Sequence, residues 1–149
     1  MQAITNKEAY FNYEILNKYE GGLVLLGHEV KSIKNNQLSL KGAYLTIMNN
    51  PTPEIYLVKA HVSQYKKSGI MPNYDPERPR KVLLKRSEID ALIGKLEQKG
   101  LTIVPIKVYT KRNLVKLEFG LAKGKKKHEK KEAKKKKDVD KEIRRALKY

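Results

Sequence analysis

The chain of 149 residues contains no cysteine, which excludes disulfide bonds, thiolate metal sites and cysteine nucleophiles. This absence is typical of a protein from a reducing compartment. The apolar runs, such as residues 23–26, are far too short to cross a bilayer, and residues 1–6 lack the basic and apolar regions of a signal peptide. We therefore expect a cytoplasmic protein without a membrane segment.

Acidic residues are scarce relative to basic ones. Lys and Arg number 33 against 16 Asp and Glu, which gives a formal net charge of +17 and a pI near 9.9. Such an excess indicates a polyanionic partner, either a nucleic acid or an anionic membrane surface. The tyrosines and phenylalanines are spread through the chain, whereas a membrane-binding helix groups its apolar residues along one face. We therefore favour RNA as the partner.

More than half of the positive excess lies at the end of the chain. Residues 1–122 carry 19 basic and 11 acidic residues, a net +8, and residues 123–149 carry 14 and 5, a net +9. Lysines this dense repel one another, so we expect 123–149 to be a Lys-rich C-terminal tail that is disordered when free. Val139, Ile143 and Leu147 fall on one face of a helix, so a partner can make the tail fold.

The first 122 residues have the pattern of short strands separated by turn residues. Residues 19–22 are predicted as a turn, residues 110–113 as a hairpin loop with a basic tip, and Pro105 as an edge or bulge position. Many short antiparallel strands favour a small closed β-barrel. The predicted strands are residues 10–15, 23–26, 43–48, 54–62, 101–109 and 114–121.

Helical patterns are few. Ser87 and Asp90 form an N-cap pattern that predicts a helix over residues 88–99, with Gly100 as the left-handed residue after its end. Its apolar face comprises Ile89, Leu92, Ile93 and Leu96. A second, short helix is predicted from Gly27 or Glu29 to about Lys34.

No motif of an enzyme is present. His28, His61 and His128 share no metal-ligand spacing, so we expect no metal site; the first two are interpreted as structural or surface residues, and His128 as either solvated or stacked on a base. Asp75 and Glu77 lie in a proline-rich loop of turn formers. We therefore expect neither a cofactor nor a catalytic residue.

Six short segments occur in the order found in one family. They are NKEA (6–9), GHEVKSI (27–33), DPERPRKVLL (75–84), GLTIVP (100–105), VKLE (115–118) and LAKGKK (121–126). The chain resembles the SsrA-binding protein family, also called small protein B, over nearly its whole length. The resemblance implies an oligonucleotide-binding-type closed antiparallel β-barrel with flanking α-helices. It also implies a trans-translation adaptor that binds the tRNA-like domain of transfer-messenger RNA (tmRNA) and escorts it to stalled ribosomes.

The resemblance also implies which residues bind RNA. Glu29 matches the RNA-binding glutamate of the family; a carboxylate can accept hydrogen bonds from base edges, orient a neighbouring Lys or Arg, or favour a helix N-terminus. Leu83 is expected to support the RNA face by packing. The other candidates for that face are Asn6, Lys7, Lys31 and Lys116.

In the family the tail enters the empty decoding site and the mRNA channel of the small ribosomal subunit, where it becomes helical. The resemblance makes His128 a candidate for stacking on a decoding-centre base. Glu129 and Lys131 replace the Asp and Arg that are usual in the family, and Lys cannot copy the planar contact of Arg. The ribosome-binding candidates are Lys123, Gly124, Lys125, Lys126, His128, Lys130, Lys131 and Ile143.

Two alternatives to the adaptor stay open. A general RNA chaperone or ribosomal structural protein would bind through phosphate charge alone, with steep salt dependence and little preference among RNAs. An RNA-processing enzyme would require distant acidic residues to converge in space. Nothing in the sequence demands a dimer, so we expect a monomer.

Overall fold

The computed structural model describes residues 2–69 and 71–125. The expected tail helix therefore lies outside the described residues. The helices are α1 (Ala9–Asn12), α2 (Gly27–Lys34) and α3 (Arg86–Leu96), with a 3-10 turn at Lys66–Ser68. The strands are β1 (Ile4–Thr5), β2 (Tyr13–Leu23), β3 (Leu38–Ser39), β4 (Tyr44–Asn49), β5 (Pro53–Val58), β6 (His61–Val62), β7 (Arg80–Leu83), β8 (Leu101–Lys111) and β9 (Leu114–Gly124).

A large antiparallel sheet dominates the described part of the chain. Its hydrogen-bonded order is β1-β8-β9-β2-β7-β5-β4, and β3 and β6 form a separate two-stranded sheet. The prediction of a mainly β protein with few helices is confirmed. The hydrogen-bonded order leaves β1 and β4 as edges, so the ladder does not close, although β4 and β8 approach within 8 Å between Cα atoms.

The turn predicted at residues 19–22 is wrong, because β2 runs through it without a break. Gly21 serves a close approach between strands instead of a turn, whereas a Cβ on Gly22 would have only ordinary contacts at 3.8 Å. A Cβ on Gly21 would lie 2.6 Å from Cγ1 of Val82 and 2.9 Å from the backbone oxygen of Leu83. Only a residue without a side chain lets β2 pass over β7 at this point. Residues 9–12, partly predicted as strand, form α1.

The β8-β9 hairpin agrees with its prediction. Arg112 and Asn113 have φ angles of 51° and 64°, the left-handed pair that a two-residue hairpin turn requires. The register shifts between Pro105 and Lys107, which confirms a bulge at the proline. β9 continues to Gly124, two residues beyond the boundary expected after Ala122.

Both predicted helices are present, with corrected bounds for α3. Helix α2 spans Gly27–Lys34 as predicted. Ser87 is not the N-cap of α3: Lys85 takes that position in an extended conformation, and its N–H donates to the Glu88 carboxylate at 3.4 Å. The helix ends at Leu96, and Gly100, at φ +85°, lies in the turn that follows.

The core lies between the inner face of the large sheet, the small sheet and the helices. Ile89 and Leu92 of α3 are buried there, and Ile93 and Leu96 pack against them, as the helical pattern predicted. Phe119 of β9 is fully buried and stacks on Tyr19 of β2 with ring centroids 5.5 Å apart. Packing of alternate strand residues therefore leaves the opposite face of β2, β8 and β9 for polar side chains.

Substitution of Gly21 tests the close approach of β2 and β7. We expect Gly21→Ala to lower the free energy of unfolding by about 1–3 kcal/mol, because the new methyl group meets backbone that cannot yield easily. Gly94→Ala is the matched control, since nothing lies within 4 Å of its added Cβ and alanine favours the helix by about 1 kcal/mol. Urea denaturation measures both, and equal stability of the two variants would contradict the close approach.

Candidate nucleic-acid interface

Helix α2 begins around a carboxylate that belongs to its own first turn. Leu26 is the N-cap, and its backbone N–H donates to Oε1 of Glu29 at 2.9 Å. A leucine side chain cannot cap the helix with a hydrogen bond of its own. The Glu29 carboxylate therefore makes the side-chain hydrogen bond at this helix end, by accepting from the Leu26 N–H. The negative charge also faces the positive end of the helix dipole. The local sequence therefore explains why an acid stands at this position.

Two arginines from β7 and the loop before it converge on the same carboxylate. Arg80 donates from Nε at 3.0 Å and from Nη2 at 2.5 Å to Oε2 of Glu29. Arg78 donates from Nε to Oε2 at 3.1 Å and from Nη2 to Oε1 at 2.5 Å, a two-pronged contact. The Tyr74 hydroxyl donates to Oε2 at 3.0 Å. We call Glu29, Tyr74, Arg78 and Arg80 the carboxylate cluster.

The members of the carboxylate cluster differ in exposure. The side chains of Glu29 and Arg80 are 0% and 1% exposed, whereas that of Arg78 is 29% exposed. Arg80 uses its remaining donors on the backbone oxygens of Ala60 and Pro76. A base edge cannot reach Glu29 in this arrangement, so of the roles open to it the structure favours two: the orientation of neighbouring arginines and the start of helix α2.

Electrostatics keep the buried carboxylate ionised. Burial by itself raises the pKa of Glu29, but the hydrogen bonds from Arg78, from the Leu26 N–H and from Arg80 outweigh it and lower the pKa to about 2. Burial and the hydrogen bond to the Glu29 carboxylate raise the pKa of Tyr74 to about 12, so its hydroxyl stays a donor. One negative charge thus meets two positive charges, and a net positive charge stays on the cluster.

A row of four residues crosses the outer face of the large sheet. Register pairs Leu83 of β7 with Gly22 of β2, Gly22 with Lys116 of β9, and Lys116 with Tyr109 of β8. A Cβ on Gly22 would lie 3.8 Å from both Leu83 and Nζ of Lys116. Leu83 is 52% exposed, so its side chain lies on the surface of this face and not in the core beneath it. It lies outside because neighbouring Val82 takes the core side of β7.

The same face carries an ion network beside this row, which we did not predict. Tyr109 donates its hydroxyl to Glu20, and Lys111 lies 3.4 Å from that carboxylate. Lys18 and Lys107 pair with Glu118 at 3.6 and 3.3 Å. Lys116 has no ion pair within 4 Å among the residues that the structure describes. The signal in the sequence that could have indicated this network is the alternation of charged and apolar residues along β2, β8 and β9.

Three further candidates lie at other places. Asn6 is held by the chain itself: its Nδ2 donates to the Pro105 oxygen at 2.8 Å, and its Oδ1 accepts from the Glu8 N–H at 3.3 Å. Lys7 follows it and is exposed. Lys31 is exposed on α2, with Nζ 5.7 Å from the ring centroid of Tyr65. The structure thus brings Leu83 and Lys116 together and leaves these three apart from that row.

The first tail candidates belong to the sheet. Lys123 and Gly124 pair with Glu14 and Tyr13 of β2. Lys125 follows the strand, with its N–H on the Asn12 oxygen at 3.0 Å and its Nζ on the Tyr10 oxygen at 2.7 Å. The remaining tail candidates, Lys126, His128, Lys130, Lys131 and Ile143, lie outside the described residues.

The other singled-out residues have structural positions. His28 packs edge-on against Tyr74, with ring centroids 4.6 Å apart, and His61 lies 3.9 Å from Glu77. Asp75 accepts the Glu77 N–H at 2.9 Å, which confirms its reading as a turn former. In 2–69 and 71–125 no group of three His, Cys, Asp or Glu side chains could hold a metal ion, and no helix is long and apolar enough to cross a membrane.

A large antiparallel sheet with a cationic outer face and a buried carboxylate–arginine cluster defines a basic, mainly β protein. The model of the SmpB protein family matches residues 3–149, so the chain belongs to the SmpB family. It is 48% identical to the SsrA-binding protein of Gloeothece citriformis (strain PCC 7424), over 96% of this chain and 90% of that relative. It is 46% identical to that of Carboxydothermus hydrogenoformans, over 95% and 93%.

One solved structure is also similar to this chain. Its description reads "tmRNA-SmpB: a journey to the center of the bacterial ribosome". The likeness has a TM-score of 0.66 and 40% sequence identity, and it covers 88% of this chain and 93% of that one. The family resemblance inferred from the six segments is therefore confirmed.

Acid titration tests the buried charge of Glu29. Its pKa is depressed in the folded state, so its stabilisation is present above the ordinary value of 4.5 and is lost as the pH falls towards 2. At about 1.4 kcal/mol per pKa unit, this linkage is worth about 3 kcal/mol. Urea denaturation between pH 7 and pH 3 should therefore show that the difference in unfolding free energy between wild type and Glu29→Gln shrinks as the pH falls.

Glu97→Gln is the control, because that carboxylate is exposed and has no ion pair in the described part of the chain. Its unfolding free energy should follow wild type at every pH. A gap between wild type and Glu29→Gln that stays constant with pH would contradict the depressed pKa.

Proposed function

We propose that this protein is an RNA-binding adaptor of trans-translation. It binds the tRNA-like domain of tmRNA and delivers that RNA to stalled ribosomes. The observation that carries the proposal is the match of residues 3–149 to the SmpB family, together with a relative 40% identical whose structure is described as tmRNA–SmpB in the bacterial ribosome. Activity on ribosomes would make the protein cytoplasmic.

The RNA face in this proposal includes the row of Leu83, Gly22, Lys116 and Tyr109 on the outer face of the large sheet. Leu83 offers an apolar side chain, Lys116 an amine without an ion pair among the described residues, and Tyr109 an aromatic ring. Apolar, cationic and aromatic groups together suit the unpaired bases and phosphates of a folded RNA. Lys7 and Lys31 would extend the face, and Asn6 would fix the loop that carries Lys7.

The proposal includes a barrel of the oligonucleotide-binding type. The close approach of β4 and β8 supports a sheet that curves until its two sides meet by packing. This curved body would extend through the end of β9 at Gly124, two residues beyond the boundary expected from the sequence, and the residues after Lys125 would form the tail. The tail would enter the empty decoding site and mRNA channel, through Lys126, His128, Lys130, Lys131 and Ile143.

We propose a binding role without catalysis. Two acids on the outer face of the described sheet pair with cations: Glu20 with Lys111, and Glu118 with Lys18 and Lys107. Paired carboxylates of this kind stabilise a surface and do not form the open two-metal site of a nuclease. The competing candidate is a general RNA chaperone, which the net charge of +17 favours.

Binding to two RNAs separates the adaptor from the chaperone. We expect the full chain at near-physiological salt to bind the tRNA-like domain of tmRNA at least about tenfold more tightly than an ordinary tRNA, because shape and base contacts add to phosphate charge. Lys116→Ala should reduce that preference, whereas Lys99→Ala, which removes an equal charge from an exposed turn, should not. Equal binding to both RNAs would favour the chaperone.

Truncation after Lys125 tests the division of labour between the sheet and the tail. The cut keeps β9 and its contacts with α1 intact. Once the non-specific contribution of the lost lysines is subtracted, we expect the affinity for tmRNA to stay within about threefold of wild type. Tagging of nascent chains in a reconstituted translation system should be abolished. Loss of RNA binding and tagging together would count against two separable functions.

A further inference from the structure

We infer that Arg78 is an RNA-contacting residue and that Glu29 acts through it as a positioning residue. This inference rests on the proposed function and adds a binding pocket for an unpaired nucleotide to it. The starting observation is that Glu29 is fully buried, so any effect of this residue on RNA must pass through a neighbour. Four donors surround the carboxylate, from Leu26, Tyr74, Arg78 and Arg80.

Only Arg78 among these donors has a charge to offer to solvent. Arg80 is 1% exposed, and its guanidinium is occupied by Glu29, Tyr74 and two backbone oxygens. Arg78 gives Nε and Nη2 to Glu29, and in the part of the chain that the structure describes its Nη1 has only a long 3.5 Å contact with the Pro79 oxygen. The buried Glu29–Arg80 pair is neutral as a unit. The surplus positive charge therefore lies on the exposed edge of Arg78.

The two-pronged contact fixes the plane of the Arg78 guanidinium. A free arginine loses side-chain entropy when it binds a phosphate, and an arginine that is already oriented loses less. Glu29 is itself held by the first turn of α2 and by Arg80, so it cannot follow the movement of Arg78. The geometry thus prepares a rigid cation at the protein surface.

A pocket of about 450 Å³ opens beside this cation. Leu26, which is 46% exposed, and Met71 and Pro72 form an apolar wall, while Asn73 and Asp75 contribute polar groups. An apolar wall suits the face of a base, acceptor oxygens suit its amino groups, and the guanidinium suits its phosphate. These three features together fit one unpaired RNA nucleotide better than they fit a simple anion, which Asp75 would repel.

The experiment measures the affinity of full-length variants for the tRNA-like domain of tmRNA at several salt concentrations. Arg78→Ala should weaken binding about tenfold and lower the salt slope by about 1, as expected for a phosphate contact. Lys99→Ala is the control for loss of one charge. Arg78→Lys should restore the slope but not the full affinity, because an amine lacks the planar fork.

A double-mutant cycle isolates the role of Glu29. If Glu29 acts through Arg78, Glu29→Gln weakens RNA binding in wild type but adds no further loss to Arg78→Ala. Additive losses would mean that Glu29 serves RNA by another route and would overturn its positioning role. If Glu29→Gln does not fold, Arg78→Lys against Arg78→Ala still decides the inference, because both leave Glu29 bound to Arg80, Tyr74 and Leu26.

Leu26→Ala tests the pocket. It should lower affinity without changing the salt slope, because the lost contact carries no charge. Wild-type affinity in Leu26→Ala would overturn the nucleotide pocket, and binding by Arg78→Ala equal to that of Lys99→Ala would overturn the inference as a whole. Failure of wild type itself to prefer the tRNA-like domain over tRNA would instead reject the proposed function, so the two failures are distinguishable.

Discussion

The convergence of two arginines and a tyrosine on the buried carboxylate of Glu29 is the interaction on which the rest of the structure depends. It joins the start of α2 to the loop before β7 and to β7 itself. A buried charge of this kind is tolerated only when all of its hydrogen bonds are made, and here a helix N-terminus, two guanidinium groups and a hydroxyl make them. Removal of any one partner leaves the others short of a contact in the interior.

The same cluster links the interior of the protein with its surface. Arg80 connects Glu29 to the backbone at Ala60 and Pro76, which fixes the chain on both sides of the residue 66–68 turn. Arg78 is anchored at the same carboxylate but reaches solvent. A structural ion pair therefore orients a surface cation: Oε2 of Glu29 accepts hydrogen bonds from both arginines, and Oε1 accepts a further one from Arg78.

Polar groups on the outer face of the sheet follow a second constraint. Strands β2, β8 and β9 bury one face, so their cations and acids meet on the other. Glu20 and Glu118 hold Lys111, Lys18 and Lys107 in place, while Lys116 lies beside Gly22 and the exposed Leu83. The face therefore combines an ion network with a small row in which Lys116 has no ion pair within 4 Å among the described residues.

Much of the fold follows from local pattern. The β8-β9 hairpin, the bulge at Pro105, the apolar face of α3 and the short helix α2 were all predictable, because each depends on neighbours within a few residues. Gly21-Gly22 misled the prediction, since glycine is typical both of a turn and of a close approach between neighbouring strands, which Gly21 makes with β7. Ser87 misled it as well, because Lys85 and Glu88 form a competing start two residues earlier.

The sequence by itself determined the basic character of the protein, its mainly β class and its family, because charge, alternation and segment order are properties of the chain. Only the tertiary structure decided that Glu29 is buried, that Arg78 is exposed and that Leu83 faces outwards. The hydrogen bonds that Glu29 accepts from Tyr74, Arg78 and Arg80 join residues that are 45 to 51 positions apart. No local pattern specifies such contacts, since they form only when the sheet brings α2 and β7 together.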